Sequence, residues 1–242
     1  EMKECVLLTR PEGENELLAS KLASSGWNVL IRPMLKIERF SSNTKYLSDL
    51  SIFDKIIFVS KNSVRHGMPL IKETLPSDLC NKIWLAIGKG TAAELKKHGV
   101  CAEFPIKSDT ESLLNLEELK HPRLNRILII KGEGGRDLLE KTLIQRGARV
   151  SLCEVYRRRS LTYTDLNTMP FGSVLTSNSL GALESLLSNL HDSRKRFKLV
   201  VPSKRIAAVA KNFAFGSVTN SEGASDEKLY KTIMSFKHFA NG

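Results

Sequence analysis

The residues of this chain that are best suited to chemistry are small hydroxyl, amide and basic side chains that follow short apolar runs. They are Arg10, Ser60, Asn62, Thr91, Lys131, Ser177, Asn178, Ser179, Lys204 and Arg205. Such side chains donate hydrogen bonds, and the basic ones carry positive charge, so together they suit the binding of carboxylates or phosphates. A single Ser, Thr or Asn in this set could equally be a helix cap. The repetition of these residues at equivalent turns in both halves of the chain favours anion binding.

Tyr156 is the second feature with chemical potential, and it precedes three consecutive arginines, Arg157 to Arg159. A tyrosine that follows a predicted strand most often packs its ring and leaves its hydroxyl in water. A phenol is also protonated at neutral pH, and it can therefore donate a proton to a leaving oxygen. The residues alone leave both interpretations open.

Motifs for cofactors and metals are weak. The sequence GEGG at Gly132–Gly135 suggests a dinucleotide loop, but Asp137 stands where G-x-G-x-x-G needs its third glycine. The turn GKGT at Gly88–Thr91 lacks the first glycine of a phosphate-binding P-loop. His98 and Cys101 form a metal pair only by proximity. A nicotinamide or flavin enzyme is one hypothesis, and it rests only on this interrupted glycine pattern.

An internal repeat indicates which elements must position these residues. The stretches 5–36 and 126–158 share one order of features: apolar strand, basic residue, turn rich in Gly or Pro, amphipathic helix, glycine stop and second strand. About five strands alternate with helices in each half, which predicts an α/β fold with two flavodoxin-like parallel sheets. In such sheets ligands bind at the carboxyl ends of strands, where helix N-termini present free N–H groups.

The elements of the first half illustrate these predictions. The predicted strands are Lys55–Val59, Ile83–Ile87 and Cys101–Phe104, and the predicted helices are Ala92–Lys97 and Leu113–Leu119, the latter after a capping box at Ser108–Glu111.

Composition limits the class of protein. No apolar run among the 242 residues approaches the ~20 that a membrane span needs, and we expect no export signal. Four widely spaced cysteines without C-x-x-C spacing favour a reducing, cytoplasmic setting. They are Cys5, Cys80, Cys101 and Cys153. The net charge of +11 favours an anionic partner, which could be nucleic acid, a membrane surface or a polycarboxylate.

Six motifs resemble, in their order and spacing, the uroporphyrinogen-III synthase family. They are LLTRP, IIFVSKNSV, WLAIGKGTAAELKKHG, ILIIKGEGGRDLLEKTLIQRGARV followed by VYRR, VLTSNS and SEGASDEKLYKTI, between Val6 and Ile233. The resemblance implies two flavodoxin-like domains that face each other across a cleft. One domain would hold residues 1–36 and 161–242, and the other residues 40–154. Residues 32–39 and 154–160 would form a two-stranded linker between them.

The resemblance also implies a reaction. The family cyclises the linear tetrapyrrole hydroxymethylbilane to uroporphyrinogen III, with loss of water and inversion of ring D, and needs no cofactor. The substrate carries acetate and propionate groups on all four rings, which gives a basic site a purpose. The implied protein is a monomer, and the enzyme that makes hydroxymethylbilane is a further candidate partner.

Individual residues match the family's motifs. Tyr156 matches the family's tyrosine, which the resemblance implies assists departure of the hydroxyl. Ser60 and Ser177 match serines of its two Thr-Ser turns, and Thr91 matches the threonine of its first Gly-x-x-Thr-Ala turn. Val59 replaces a threonine of the first Thr-Ser turn. In the second Gly-x-x-Thr-Ala turn, replaced here by residues 202–206, Arg205 stands where threonine is usual, so binding there would rest on Lys204 and Arg205.

A different class of function is a non-catalytic, two-lobed binding protein for an anionic metabolite or for nucleic acid. Its basic clusters would be Arg157–Arg159 and Arg194–Lys198. Aromatic residues make up 7% of the chain and are nearly absent from these clusters, which argues against base stacking and so against nucleic acid.

Overall fold

The computed structural model of the chain describes residues 4–42, 44–72 and 82–237. The backbone divides into two compact units, Glu1–Ile37 with Arg159–Gly242, and Glu38–Arg158. No helix within the described ranges is both long and apolar enough to span a bilayer. Cys5, Cys101 and Cys153 are free thiols, and Cys80 lies outside the described residues.

Strands and helices alternate along most of the chain. The strands are β1 (Cys5–Leu8), β2 (Asn28–Ile31), β3 (Leu35–Ser42), β4 (Lys55–Phe58), β5 (Ile83–Ala86), β6 (Arg126–Gly132), β7 (Arg149–Ser160), β8 (Val174–Thr176), β9 (Lys198–Val201) and β10 (Ser217–Asn220). The helices are α1 (Glu16–Ser24), α2 (Lys61–Lys72), α3 (Lys89–Lys96), α4 (Thr110–Leu114), α5 (Glu117–Lys120), α6 (Leu138–Gln145), α7 (Leu180–Asn189), α8 (Lys204–Ala210) and α9 (Asp226–Met234).

The first unit contains a parallel sheet in the order β10-β9-β8-β1-β2. Side chains alternate across the sheet, so Val6 and Leu8 pack on one face and Leu7 on the other. Helices α1 and α9 cover the face of Val6, and α7 and α8 cover the face of Leu7. Burial on both faces explains why these strands are continuous apolar runs and lack polar alternation.

The second unit contains a mixed sheet in the order β3-β7-β6-β4-β5. The pairs β4–β5, β4–β6 and β6–β7 are parallel. Ile127 and Ile129 of β6 pack with Leu139 and Leu143 of α6 in a buried core. On the other face α2 approaches the sheet at Gly67, where an added Cβ would lie 3.0 Å from the Ile130 side chain. Two layers of helix therefore enclose the sheet of each unit, as the α/β prediction required.

Several predicted elements differ in extent. Strand β7 continues through Arg149–Ser160, so Tyr156 lies inside a strand and does not follow its end. The strand predicted at Cys101–Phe104 is only a single bridge between Leu85 and Glu103, because this mostly exposed segment has little apolar surface to bury. Helix α3 begins at Lys89, three residues earlier than predicted, since the Gly88 carbonyl already accepts the N–H groups of Thr91 and Ala92.

The predicted helix Leu113–Leu119 is two short helices, α4 and α5, interrupted where Leu116 adopts an extended backbone. The predicted capping box also has a different cap, because Asp109 and not Ser108 accepts the Ser112 N–H, at 2.7 Å. The Ser108 side chain instead fills the space beside Gly88, where an added Cβ would lie 1.9 Å from the Ser108 Oγ.

Candidate functional site

A cavity of about 360 Å³ lies in the second unit at the carboxyl ends of its central strands. Ser60, which follows β4, Lys131 at the end of β6 and Tyr156 of β7 all line it. The structure therefore brings three of the sequence-predicted residues to one place. This is the edge of a parallel sheet at which α/β proteins bind ligands.

Tyr156 is held at this cavity by two polar partners. Only 2% of its surface is exposed, and its hydroxyl lies 3.1 Å from the Ser60 Oγ. Arg158 Nη2 donates to the same hydroxyl oxygen at 3.2 Å, and the guanidinium lies 5.4 Å from the ring centre. Because a guanidinium can only donate, the phenol oxygen is the acceptor in that bond. The phenol hydrogen remains available for Ser60 or for a ligand.

Ser60 is a helix cap, which is one of the two interpretations that its sequence position allowed, and it also contacts Tyr156. Its Oγ accepts the Ser63 N–H at 2.9 Å, which is a helix cap at the start of α2. The same oxygen contacts the Tyr156 hydroxyl. The cap fixes the serine rotamer, and the serine then fixes the position of the phenol.

The imidazole of His66 on α2 stacks on the Tyr156 ring, with centroids 5.8 Å apart and an interplanar angle of 29°. Burial, together with the nearby charges of Arg39 and Arg65, lowers the pKa of His66 below its ordinary value. The ring next to Tyr156 is therefore a neutral imidazole at physiological pH, and it adds no charge to the site.

Charges of both signs line the cavity. Lys131, Arg136 and Arg158 supply the positive charges. Asp109, Glu111 and Glu140 supply the carboxylates. Hydrogen bonds from Ser112 hold the pKa of Asp109 below its usual range, so this carboxylate stays ionised at neutral pH. The cavity can thus offer cationic donors to carboxylates and anionic acceptors to N–H groups.

Asn62 and Thr91 are the sequence-predicted residues of this unit that do not line the cavity, as far as the structure describes it. Asn62 lies in the first turn of α2 and is half-buried. Thr91 is 4% exposed in the first turn of α3, after the end of β5. Both remain at strand ends of the same sheet.

In the first unit, Arg10 already binds a carboxylate of the chain itself. Its guanidinium donates to Asp226 and to the Ala224 carbonyl, and also to the Glu14 carbonyl at 3.2 Å. These bonds fix the loop that precedes α9 to the end of β1. The sequence predicted Arg10 as an anion-binding residue, and in the structure its guanidinium is already engaged within the chain.

The other predicted residues of the first unit stand after β8 and β9. Ser177 is buried and donates to the Ser179 carbonyl at 3.3 Å, while Ser179 accepts the Ala182 N–H at 3.1 Å and caps α7. The Asn178 amide oxygen is buried without a hydrogen-bond partner in the described part of the chain. Lys204 and Arg205 are exposed in the first turn of α8. This edge offers amide, hydroxyl and cationic groups to an anion.

The glycine turn after β6 has a partner that disfavours a nucleotide. Gly134 and Gly135 have left-handed backbones, with φ of 67° and 87°. The Gly134 N–H donates to the Glu154 carboxylate at 3.2 Å, which places negative charge where a pyrophosphate would bind. In the residues that the structure describes, no group of three or more His, Cys, Asp or Glu side chains could hold a metal ion.

The basic clusters proposed for nucleic acid are partly engaged within the chain. Arg157 pairs with Glu38 at 3.4 Å and stacks over Phe40. Arg196 donates to the Met169 carbonyl, and Lys198 lies 3.6 Å from Glu4. These residues stabilise their own units, which weakens the case for a phosphate-binding surface.

Sequence reasoning missed Arg158, Arg136 and Asp109 as parts of the cavity. Arg158 stands two residues after Tyr156, and alternation along a strand puts both side chains on one face of β7. That alternation follows from the linker strand that the resemblance implies at residues 154–160, and it is the signal that points to Arg158. Asp109 and Arg136 lie in loops, and no periodicity in the sequence predicts where loop side chains point.

The sequence model of the family described as uroporphyrinogen-III synthase HemD matches residues 16–231. The chain is 32% identical over 168 residues to uroporphyrinogen-III synthase of Proteus mirabilis, covering 65% of this chain and 82% of that protein. It is 28% identical to the synthase of Salmonella typhimurium, covering 94% and 99% of the two chains.

A solved structure of uroporphyrinogen-III synthetase from Helicobacter pylori is similar in fold, with a TM-score of 0.65, 17% identity and coverage of 98% and 100% of the two chains. A mutant synthase from Thermus thermophilus gives a TM-score of 0.62 at 17% identity, with coverage of 97% and 100%. The family match spans most of the sequence. The chain belongs to the uroporphyrinogen-III synthase family.

Proposed function

We propose that the cavity of the second unit, with Tyr156 as its proton donor, takes part in the reaction of the family. The chain is a lyase that cyclises hydroxymethylbilane to uroporphyrinogen III, with loss of water and inversion of ring D. The observation that carries our proposal is the buried phenol of Tyr156, which faces the cavity between a hydroxyl and a guanidinium.

The first step requires a proton for a poor leaving group. As the C–O bond of the hydroxymethyl group breaks, its electron pair stays on oxygen, and that oxygen takes the Tyr156 proton and departs as water. The pyrrole nitrogen supplies electrons and keeps its hydrogen, which leaves a protonated azafulvene cation. Arg158 donates to the phenol oxygen and so stabilises the negative charge that develops there. When the macrocycle recloses, the attacked pyrrole carbon loses its hydrogen as a proton, which restores the aromatic pyrrole and returns a proton to the Tyr156 oxygen.

The remaining task is positioning. Without the enzyme the linear chain closes without inversion, so the substituted carbon of ring D must be held against the azafulvene. We assign substrate carboxylates to Lys131, Arg136 and Arg158, whose charges suit them. The acidic residues of the cavity suit the pyrrole N–H groups, which are hydrogen-bond donors.

The polar strand ends outside this cavity are further proposed binding groups. They are Asn62, Thr91, Ser177, Asn178, Ser179, Lys204 and Arg205. Exposed Lys204 and Arg205 can reach carboxylates directly, whereas Ser177 is buried and would act by shaping its turn. Arg10 is assigned to holding Asp226, and not to the substrate.

Four finer statements also belong to the proposal. The enzyme would act as a monomer, as the family resemblance implies, and the widely spaced cysteines suit a cytoplasmic setting. The enzyme that makes hydroxymethylbilane would deliver the substrate. The domains would be residues 1–36 with 161–242 and residues 40–154, joined by 32–39 and 154–160. Ultracentrifugation with and without that enzyme tests the first and third statements.

A matched pair of variants tests the role of Tyr156. Tyr156→Phe keeps the ring but removes the proton, so kcat for freshly made hydroxymethylbilane should fall about 10²-fold while KM changes little. Tyr46→Phe is the control, because Tyr46 packs edge-on against Phe53 in the same unit, away from the cavity. Equal kcat values for wild type and Tyr156→Phe would contradict the proposal.

A further inference from the structure

The last residues of β6 and β7 are not in regular register. Pairing runs evenly from Arg126 with Arg149 up to Lys131 with Glu154, and then Gly132 pairs with Tyr156. One residue of β7, Val155, is therefore extra, which is a β-bulge. The Glu133 N–H then donates to the Tyr156 carbonyl at 2.8 Å. A bulge of this kind redirects the side chains beside it, here that of Tyr156 within β7.

The redirected side chain of Tyr156 crosses a neighbouring strand. In the sheet, β6 lies between β7 and β4. Tyr156 starts on β7, and its hydroxyl reaches Ser60, two residues beyond the end of β4. The ring must therefore pass over β6, and it does so at Gly132.

Gly132 leaves no room for a side chain of its own. An ideal Cβ at Gly132 would lie 2.5 Å from Cζ of Tyr156, 2.6 Å from Cε2 and 2.9 Å from the hydroxyl oxygen. Carbon atoms at van der Waals contact are about 3.5–4.0 Å apart, so the ring would have to move by roughly 1 Å or more. Such a shift would break the hydrogen bond to Ser60.

The backbone gives no other reason for this glycine. Gly134 and Gly135, in the following turn, have left-handed φ values that favour glycine, whereas Gly132 is not among the glycines with positive φ. Gly132 is instead a regular residue of β6 and is buried. An alanine could adopt this conformation, and the three nearest heavy atoms that its Cβ would meet all belong to Tyr156.

We propose that Gly132 is a positioning residue for Tyr156: its missing side chain lets the phenol cross β6 and meet Ser60 and Arg158. This inference rests on the proposed role of Tyr156 as the proton donor. It adds that the location of the phenol is set by a residue that does no chemistry itself. A misplacement of about 1 Å in a reacting group can cost about 10²-fold in rate.

The test uses a spectroscopic signal from the tyrosine itself. The chain contains four tyrosines, so protein labelled with 3-fluorotyrosine should give a small set of ¹⁹F resonances. Tyr156→Phe identifies the Tyr156 resonance by its disappearance. In Gly132→Ala this resonance should shift while the others stay, and kcat should fall at least about tenfold with a smaller change in KM.

Gly181→Ala in α7 is the matched control. An added Cβ there would meet only the Leu35 side chain, at an ordinary 3.5 Å, and it lies in the other unit. It should leave the Tyr156 resonance in place.

A second measurement covers the case in which Gly132→Ala folds poorly. In the Tyr156→Ala background, Gly132→Ala should lower Tm much less than it does in the wild type, because the ring with which the new Cβ would collide is gone.

The outcomes separate the two ideas. An unmoved Tyr156 resonance in Gly132→Ala, or an equal loss of Tm with and without the tyrosine ring, would overturn the positioning inference whatever the activity. A shifted resonance with wild-type kcat in Gly132→Ala would also overturn it, provided that Tyr156→Phe is slow. If Tyr156→Phe itself retains full kcat, Tyr156 is not the proton donor. The steric relation between Gly132 and Tyr156 is still tested in that case, because it depends only on whether the Tyr156 resonance shifts in Gly132→Ala.

Discussion

The phenol of Tyr156 lies between two partners of different kinds, a serine hydroxyl and a guanidinium. The Ser60 hydroxyl can either accept a hydrogen bond from the phenol or donate one to it, whereas the Arg158 guanidinium can only donate. The arrangement aims the hydroxyl at the cavity, and the guanidinium donor suits negative charge on the phenol oxygen. The residue type alone allowed a packing tyrosine with its hydroxyl in water or a proton donor. In the structure the ring is buried, and the hydroxyl is hydrogen-bonded within the protein and not left in water, while the role of proton donor stays our proposal.

Lys131 provides a test of carboxylate binding at the cavity. In Lys131→Met the stem is retained and the charge is lost, so KM for hydroxymethylbilane should rise about tenfold while kcat changes less. Arg126→Met is the control, since Arg126 is an exposed base at the other end of the same strand. Steady-state kinetics measures both. If the two variants raise KM equally, binding depends on overall charge and not on this strand end.

The thiols should differ sharply in reactivity. Burial raises the pKa of Cys153 to about 12, with a contribution from the charge of Glu154, so its thiolate is scarce at neutral pH. Cys101 is exposed. In the native protein a maleimide should label Cys101 quickly and leave Cys153 unmodified until the protein is unfolded. Mass spectrometry of peptides after brief labelling checks this, and rapid native labelling of Cys153 would contradict the buried position on β7.

Helix α2 carries a pH-sensitive contact because its His66 packs on Tyr156. The folded-state pKa of His66 is lowered by burial and by Arg39 and Arg65, so the unfolded chain binds this proton more readily. The contribution of His66 to the free energy of unfolding is therefore fully present above the ordinary histidine pKa of about 6.5, and it is lost as the pH falls below that value.

Thermal melts between pH 7.5 and pH 5.5 test this behaviour. The Tm of the wild type should decrease over this range more than the Tm of His66→Gln, which has no group to protonate there. This pH range lies above the ordinary carboxylate pKa of about 4, so acidic residues contribute little to the change in Tm. Parallel Tm curves for the two proteins would show that His66 does not carry the effect.

Apolar runs predicted the strands better than they predicted where the strands end. The strands β4, β5 and β6 lie where continuous Ile, Val and Leu runs placed them, because buried parallel strands leave few polar positions. Strand β7 extends to Ser160 through charged residues, which pair within the sheet or line the cavity. The bulge at Val155 left no sequence signal, since it depends on how two strands pair. A prediction from sequence thus placed Tyr156 near the correct sheet edge but not over Gly132.

The polar residues at turns were predicted as a set, and the structure divides that set by local partners. Ser60, Lys131 and Tyr156 meet at one cavity, whereas Arg10 is occupied by Asp226. Sequence spacing brings residues to the same edge of a sheet, but it does not reveal whether a nearby carboxylate already binds them. For that reason the class of ligand was easier to predict than the individual contacts.

Three features together indicate what this enzyme binds and which reaction it catalyses: its net charge, its two parallel sheet edges and its family. A net charge of +11 suits a substrate with many carboxylates, and each unit provides a parallel sheet edge with polar turns. Family membership gives the reaction, which the geometry alone would leave open among anion-binding functions. A binding protein without catalysis would share the charge and the turns, but it would have no need for the proton donor that we propose Tyr156 to be.

The product isomers formed from hydroxymethylbilane test this account most directly. Freshly made substrate should be mixed with increasing amounts of the wild-type protein, and the oxidised porphyrins separated by chromatography. Because the enzyme competes with spontaneous closure, the type III fraction should rise with protein concentration until it dominates. Formation of the type I isomer alone, at the spontaneous rate and at every protein concentration, would contradict the account.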